Sequence, residues 1–333
     1  AAVEILCRVF YRPLPPPHLQ PFVNPEWMTD AVFATDSKYF WRFIPDRSIR
    51  GGSRQDADYE IRINRDGFRG LEWNPDDPLE GETILAIGDS CVFGWDSDEG
   101  ENFPERLIRH LEGSGEFAGE PLVLYQRGVP GYTSHQAKMI LEEWGPKVDP
   151  DWIVLSVGTN DCLPCIEKND GDISAELSAS FVEPLLRLSY TALAIRDFMF
   201  VLGKNLFFEA DYSQGLDFQS APARVPLDHF EENLRFFEDY ADRNRSGLIL
   251  HTRQNTEPNP RLETYNETIR EFGTSRGVPV VDVAARFVEY ATSEVYTRPD
   301  FDPVHPNEKG YDLIAEWTAE AMRKEFKGHS EDD

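Results

Sequence analysis

Apolar and polar residues change their rhythm near residue 80. Upstream, "DYEIRINRDGFRG" (58–70) alternates apolar with polar and ends in an Asp-Gly turn signal, which predicts a β-hairpin. "WNPDDPLEG" (73–81) then reads as a linker. From residue 83 short apolar runs alternate with segments of helical period, the pattern of a parallel sheet covered on both faces.

Five strands are predicted: "TILAIG" (83–88), "PLVLYQ" (121–126), "DWIVLSVG" (151–158), "GLILHT" (247–252) and "VPVVDV" (278–283). Phe103, Leu107 and Leu111 share one face of the first intervening helix. Tyr311, Ile314, Trp317 and Ala321 share one face of the last, and "LDHFEENLRFFEDYADR" (227–243) makes another helix. Right-handed crossovers between five parallel strands give a three-layer α/β/α sandwich, with ligands expected at the carboxyl ends of the strands. The organisation expected is an N-terminal extension over 1–80 and a sandwich domain over 81–328.

Two stretches stand apart. The connection between the third and fourth strands is far longer than a crossover needs. It places an insertion at 162–225, including the apolar "FVEPLLRLSYTALAIRDFMFVLGKNLFFEA" (181–210), read either as core or as a lid or acyl-binding surface. The opening "AAVEILCRVFYRPLPPPHLQPF" is a short apolar piece followed by an extended proline-rich run. It reads as a packing tail or as the stump of an upstream membrane anchor, which favours an extracytoplasmic bacterial setting.

Composition excludes more than it names. Sixty Asp and Glu against 33 Lys and Arg leave a net charge of −27, a surface that repels nucleic acid and anionic membrane. Four cysteines are too few for a disulfide framework in 333 residues, and no second ligand pair accompanies them for zinc. Cys162 and Cys165 have redox spacing, but read as a local bridge or as ordinary thiols. No phosphate-binding glycine loop follows the first strand.

The chemistry gathers at the predicted strand ends. Gly88, Asp89 and Ser90 follow the first strand, Gly128 the second and Asn160 of "GTND" the third; "DPVHPNEKGY" after the fifth carries Asp302 and His305. A serine hydroxyl attacks only when a neutral imidazole accepts its proton, and the imidazole needs a carboxylate on its other nitrogen. Asp302 and His305, three residues apart between Pro303 and Pro306, can meet in one stiff turn. Negative charge developing on a carbonyl oxygen needs donors, for which the amides of Ser90 and Gly128 and the side chain of Asn160 are candidates. Asp89 reads as a loop-ordering acceptor, Cys91 as buried packing and His251 as a satisfied strand-end histidine.

These blocks, in this order, resemble the SGNH (GDSL) hydrolase superfamily over residues 83 to about 325, the insertion excepted. The resemblance implies a flavodoxin-like fold and no cofactor or metal. It implies a Ser90–His305–Asp302 triad, with Ser90, Gly128 and Asn160 as the oxyanion hole. It departs at Gln126 and Arg127, where the second block usually carries an asparagine. The function expected is a serine esterase that removes a small acyl group, acetyl or short acyl, from an ester such as an acylated carbohydrate. Two alternatives are an O-acyltransferase using the same triad on a sugar, and a catalytically silent binding module.

Overall fold

The computed structural model describes residues 32–50, 60–113, 121–165, 168–179 and 221–331, with isolated positions Val3, Glu4, Leu6, Phe117, Ser189, Thr191, Ala194 and Ile195. The opening 22 residues and the stretch 181–210 therefore lie almost wholly outside the described residues.

The elements run in the order β1 (Phe33–Asp36), β2 (Phe40–Phe43), β3 (Arg47–Arg50), β4 (Glu60–Ile63), β5 (Glu82–Gly88), α1 (Ser90–Phe93), α2 (Phe103–Glu112), β6 (Leu122–Gly128) and α3 (Ser134–Val148). They continue with β7 (Trp152–Ser156), α4 (Asp170–Ala179), α5 (Leu227–Asn244), β8 (Gly247–His251), α6 (Pro260–Arg276), β9 (Val280–Val281), α7 (Val283–Phe287), α8 (Thr292–Val295) and α9 (Glu308–Glu331). The chain forms two compact units. One comprises Ala1–Arg42 and Pro164–Ala223; among its described residues are β1, which pairs with β2, and helix α4. The other comprises Phe43–Leu163 and Arg224–Asp333 and contains the parallel sheet.

That sheet has the order β6-β5-β7-β8-β9, every neighbouring pair parallel. Counted along the sheet's own strands this is 2-1-3-4-5, the flavodoxin-like order, whose switch point lies beside the first strand. Strands buried on both faces need apolar residues at nearly every position, which is why they are uninterrupted apolar runs in sequence. Ile84, Ala86, Trp152, Val154, Ile249 and Val281 join Phe103, Leu107 and Leu111 of α2 and Tyr311, Ile314 and Ala315 of α9 in one core. Alternation sends Leu85, Ile87, Ile153, Leu155, Leu248 and Leu250 to the other face, all buried. There α3 packs against β5 and α5 against β8. Helix α5 buries Phe230, Leu234, Phe237 and Ala241, one stripe of period 3.6.

Three details differ from the sequence expectation. Strand β4 pairs not with the segment after Asp66–Gly67 but with β3 upstream, Arg47 opposite Ile63 and Arg50 opposite Glu60. Asn64 is the reason. Its Oδ1 accepts from the amides of Asp66 and Phe68 and its Nδ2 donates to the carbonyls of Gly70 and Leu71, so the chain coils around one side chain. Only a single Ile63–Arg69 bridge remains of the predicted hairpin. Strand β9 is two residues long, because Asp282 leaves the ladder to cap α7, its side chain accepting from the Ala285 amide. No disulfide joins the buried Cys162 and Cys165, so the local-bridge alternative does not hold.

Among the described residues no helix is long and apolar enough to cross a membrane, and no cluster of three His, Cys, Asp or Glu could hold a metal ion.

Candidate active site

Strand β5 ends where its apolar run ends, and the next two residues begin a helix. The Asp89 side chain accepts from the Cys91 amide at 2.9 Å, capping α1. This sets Ser90 at the first helical position, 8% exposed. Helix α1 stops after one turn at Gly94, whose φ of 79° is left-handed, and a Cβ there would lie 2.3 Å from Asn102 Cβ. Gly128 closes β6 against the same turn: a Cβ at 128 would lie 2.4 Å from the Phe93 amide nitrogen. The β5–β6 pairing runs to the last residue of both strands, with the Val129 amide donating to the Gly88 carbonyl at 3.1 Å.

The turn before α9 reaches Ser90 from 215 residues away. His305 Nε2 lies 2.7 Å from Ser90 Oγ, and His305 Nδ1 lies 2.6 Å from Asp302 Oδ2. The other Asp302 oxygen accepts from the amides of Val304 (3.1 Å) and His305 (3.2 Å), so the carboxylate is fixed by its own turn. Burial alone would raise the Asp302 pKa. The hydrogen bond and charge of His305, with the two amides, outweigh it and hold the carboxyl below its ordinary range. A carboxylate at Nδ1 selects the tautomer with its proton there, leaving Nε2 to accept from the serine hydroxyl.

The turn is held from outside as well. Gln254 Nε2 donates to the Val304 carbonyl at 3.0 Å, and the Thr256 amide donates to the Pro303 carbonyl at 2.9 Å. The Trp95 ring sits 6.0 Å from the His305 ring, and the Trp95 carbonyl accepts from Tyr311 Oη at 2.9 Å.

Asn160 meets the Ser90 turn through Asp89. Its Nδ2 donates to Asp89 Oδ2 at 3.3 Å and to the Tyr132 carbonyl at 3.0 Å, which engages both of its hydrogens. Asp161 orders this loop from below, accepting from the amides of Ser134 (2.8 Å) and Gly158 (2.9 Å). Burial pushes Asp161 up to about 6 against those bonds and against Arg224.

Arg127 and Gln126, where the second block departs, point to opposite faces of β6. The Arg127 guanidinium is buried among the rings of Trp144 (4.2 Å), Phe68 (4.7 Å) and Tyr125 (5.2 Å), and pairs with Asp66 at 3.3 Å. Burial lowers it to about 10 despite Asp66 and Tyr125. It is thus a packing residue that fastens the segment around Phe68 to the sheet.

Sequence reasoning missed the buried arginines around the site. Arg69 Nη1 donates to the carbonyls of Phe93 (3.2 Å), Gly94 (3.1 Å) and Ser97 (3.3 Å), holding the loop that follows α1. Arg253, just after β8, donates to both oxygens of Asp89 at 3.1 Å. His251 is buried, with Nε2 3.0 Å from Thr318 Oγ1 and its ring 5.4 Å from Phe103; it does not reach Ser90. Burial raises the Cys91 thiol to about 12, which leaves it inert beside Ser90.

Residues 86–195 match the model of the GDSL-like lipase/acylhydrolase family. Among curated proteins none matches the chain. Similar solved structures include an alpha/beta hydrolase enzyme from the metagenome of Lake Arreo, Spain, at 19% identity and TM-score 0.47, covering 72% of this chain and 94% of the other. A lipase/acylhydrolase from Enterococcus faecalis has 17% identity and TM-score 0.46, covering 74% and 96%. A catalytic mutant of an acetylxylan esterase from Geobacillus stearothermophilus has 18% identity and TM-score 0.47, covering 74% and 96%.

Proposed function

We propose, for a hydrolase that carries the GDSL-like lipase/acylhydrolase sequence over residues 86–195, that it cleaves short acyl esters by a serine mechanism centred on Ser90. One observation carries the reading: the continuous hydrogen-bond line Ser90 Oγ–His305 Nε2–His305 Nδ1–Asp302 Oδ2, at 2.7 and 2.6 Å.

In this reading Ser90 Oγ attacks the ester carbonyl carbon while its proton passes to His305 Nε2. The imidazolium that forms keeps its other proton on Nδ1, against the ionised Asp302. The carbonyl oxygen becomes an oxyanion, for which the Ser90 and Gly128 amides and Asn160 Nδ2 are the proposed donors. His305 then returns its proton to the departing alcohol oxygen, leaving the acyl group on Ser90. Water repeats the sequence: it loses a proton to His305, attacks the acyl carbon, and the proton returns to Ser90 Oγ as the acid leaves. No step needs a metal or a cofactor.

The Trp95 ring beside His305 supplies an apolar surface next to the proton-transfer path. We assign it to the acyl or alcohol group that flanks the reacting carbonyl.

The test is turnover of p-nitrophenyl acetate, butyrate and octanoate by wild type and Ser90→Ala, with intact mass after a fluorophosphonate. Serine-dependent turnover that falls from acetate to octanoate, with one adduct on Ser90, is expected. Undiminished turnover by Ser90→Ala refutes the mechanism, and a preference for octanoate refutes the short-acyl assignment.

A further inference from the structure

A carboxylate stands one residue before the proposed nucleophile, close to where an acyl transfer builds negative charge. Asp89 is 1% exposed, caps α1 and accepts from Asn160 Nδ2. An uncompensated charge at that depth would repel an oxyanion held by Asn160 and the Ser90 turn, because a buried site screens little. Its compensation comes from a part of the chain with no role in the family motifs.

Arg253 is 2% exposed and uses its whole fork at the strand ends. Nη2 meets both Asp89 oxygens at 3.1 Å, Nη1 donates to Ser156 Oγ at 2.5 Å and Nε donates to Thr159 Oγ1 at 3.1 Å. One guanidinium thus joins the ends of β5, β7 and β8, and touches the residue before Asn160 as well as the residue before Ser90. Its backbone is clamped too: the Arg253 amide donates to Asn266 Oδ1 at 2.7 Å, and Asn266 Nδ2 donates to the Arg253 carbonyl at 2.9 Å. A side chain held at both ends in this way does not leave to solvent when the site turns over.

We infer that Arg253 is a positioning residue for the acyl transfer, cancelling the charge of Asp89 beneath the oxyanion site and holding Asp89 so that Asn160 stays aimed at it. The inference rests on the serine mechanism proposed above and adds a residue to it. Charge, more than packing, is the essential part: in the ground state Asp89 and Arg253 form a neutral floor, and the oxyanion is the only net negative charge the donors must meet. Burial by itself disfavours the Arg253 cation, but the neighbouring Asp89 more than restores it, so the guanidinium keeps its proton throughout.

The experiment compares Arg253→Lys, Arg253→Met and the double variant Arg253→Met/Asp89→Asn. Each is first shown to be monodisperse with the wild-type near-ultraviolet circular dichroism, and kcat and KM are then measured on p-nitrophenyl acetate. Arg253→Met is expected to lose at least 100-fold in kcat with KM within threefold of wild type. The double variant, which removes both charges, is expected to regain at least tenfold of that loss, and Arg253→Lys to stay within tenfold of wild type. A purely structural arginine predicts the opposite order, with the double variant no better than Arg253→Met.

A folded Arg253→Met with kcat within fivefold of wild type overturns the inference. So does a double variant that regains nothing. Where Arg253→Met fails to fold, a folded Arg253→Lys that loses 100-fold in kcat overturns it instead. Wild type is measured first: absence of Ser90-dependent ester turnover there refutes the proposed function itself, whereas an active wild type with an unimpaired Arg253→Met refutes only the role of Arg253.

Discussion

Gly128 lies so close to Phe93 that a single methyl group cannot stand between them: a Cβ added at 128 would fall 2.4 Å from the Phe93 amide nitrogen and 2.8 Å from Val92 Cβ. Backbone and a branched side chain cannot swing aside. Gly128→Ala must push α1, and Ser90 with it, away from the end of β6. The expected cost is ~1–3 kcal/mol of stability, and a loss of kcat/KM of about 100-fold, in keeping with a one-ångström misplacement of a reacting group. Thermal melts and acetate-ester kinetics check both; a variant with wild-type kcat/KM would show that the strand end and the proposed nucleophile are not coupled.

Asp302→Asn separates geometry from charge. The asparagine can still accept from the Val304 and His305 amides, but it presents an NH2 to His305 Nδ1 and favours the tautomer that cannot accept the serine proton. A loss of kcat of about 10⁴-fold is expected, with KM little changed. The wild-type pH profile carries a related expectation. Asp302 is held below its ordinary range, so its ionised form, and the stability it lends, is present above that range and lost only as pH falls through the lowered value. Asp302 should therefore add no acid limb to the activity profile within the ordinary carboxylate range. A carboxylate limb within that range would mean that Asp302 is not the carboxylate orienting the base.

Asn160 already donates both its hydrogens, the weaker to Asp89 at 3.3 Å. An oxyanion donor in this position must trade that bond for the one to substrate. Asn160→Ala should lower kcat by about 10²–10³-fold with KM within a few-fold. An effect confined to KM would place Asn160 in ground-state binding.

How much of this was legible in the residues differs by physical cause. All five sheet strands stand where the apolar runs predicted them, since a strand buried on both faces has no choice of composition. The fifth strand is shorter than its apolar run because Asp282 spends its side chain on a cap. Strand β4 found its partner upstream because Asn64 bonds four backbone groups locally, and periodicity carries no information about that. The residues brought together at Ser90 each carry a local signal, namely an abrupt polar residue at the end of an apolar run or an Asp and His sharing one turn. Arg253 carries none. Its partner Asp89 is 164 residues distant, and an arginine after a strand is ordinarily solvent-exposed.

Arg69 makes a prediction of the same long-range kind. It lies 24 residues before the Phe93 carbonyl it binds, and its removal leaves the Phe93, Gly94 and Ser97 carbonyls buried without that donor. Arg69→Met should destabilise by ~3 kcal/mol, and should lower kcat more than KM because the loop it holds follows Ser90 directly. Urea unfolding and acetate-ester kinetics measure the two effects. Stability within ~0.5 kcal/mol of wild type would show that water can replace the guanidinium there.

His251 ties stability to pH in a direction that can be worked out beforehand. Thr318 Oγ1 donates its hydrogen to the Ile314 carbonyl at 2.6 Å, so the hydrogen between Thr318 and His251 must come from His251 Nε2. The ring is neutral, and burial, helped by the Arg253 charge, lowers its pKa from 6.5 to about 3. As pH falls below about 6.5 the unfolded chain takes up a proton that the folded chain refuses, so the folded state loses stability progressively until its own pKa is reached. Across that window the slope from this one group is about 1.4 kcal/mol per pH unit. His251→Gln retains an amide donor for Thr318 and cannot titrate. Its stability should fall less steeply than that of wild type between pH 6.5 and 4.5, so that the difference between the two shifts in favour of the variant at every step down. Urea unfolding at half-unit pH intervals measures this; parallel curves would mean that the buried imidazole takes up its proton as readily as the unfolded chain does.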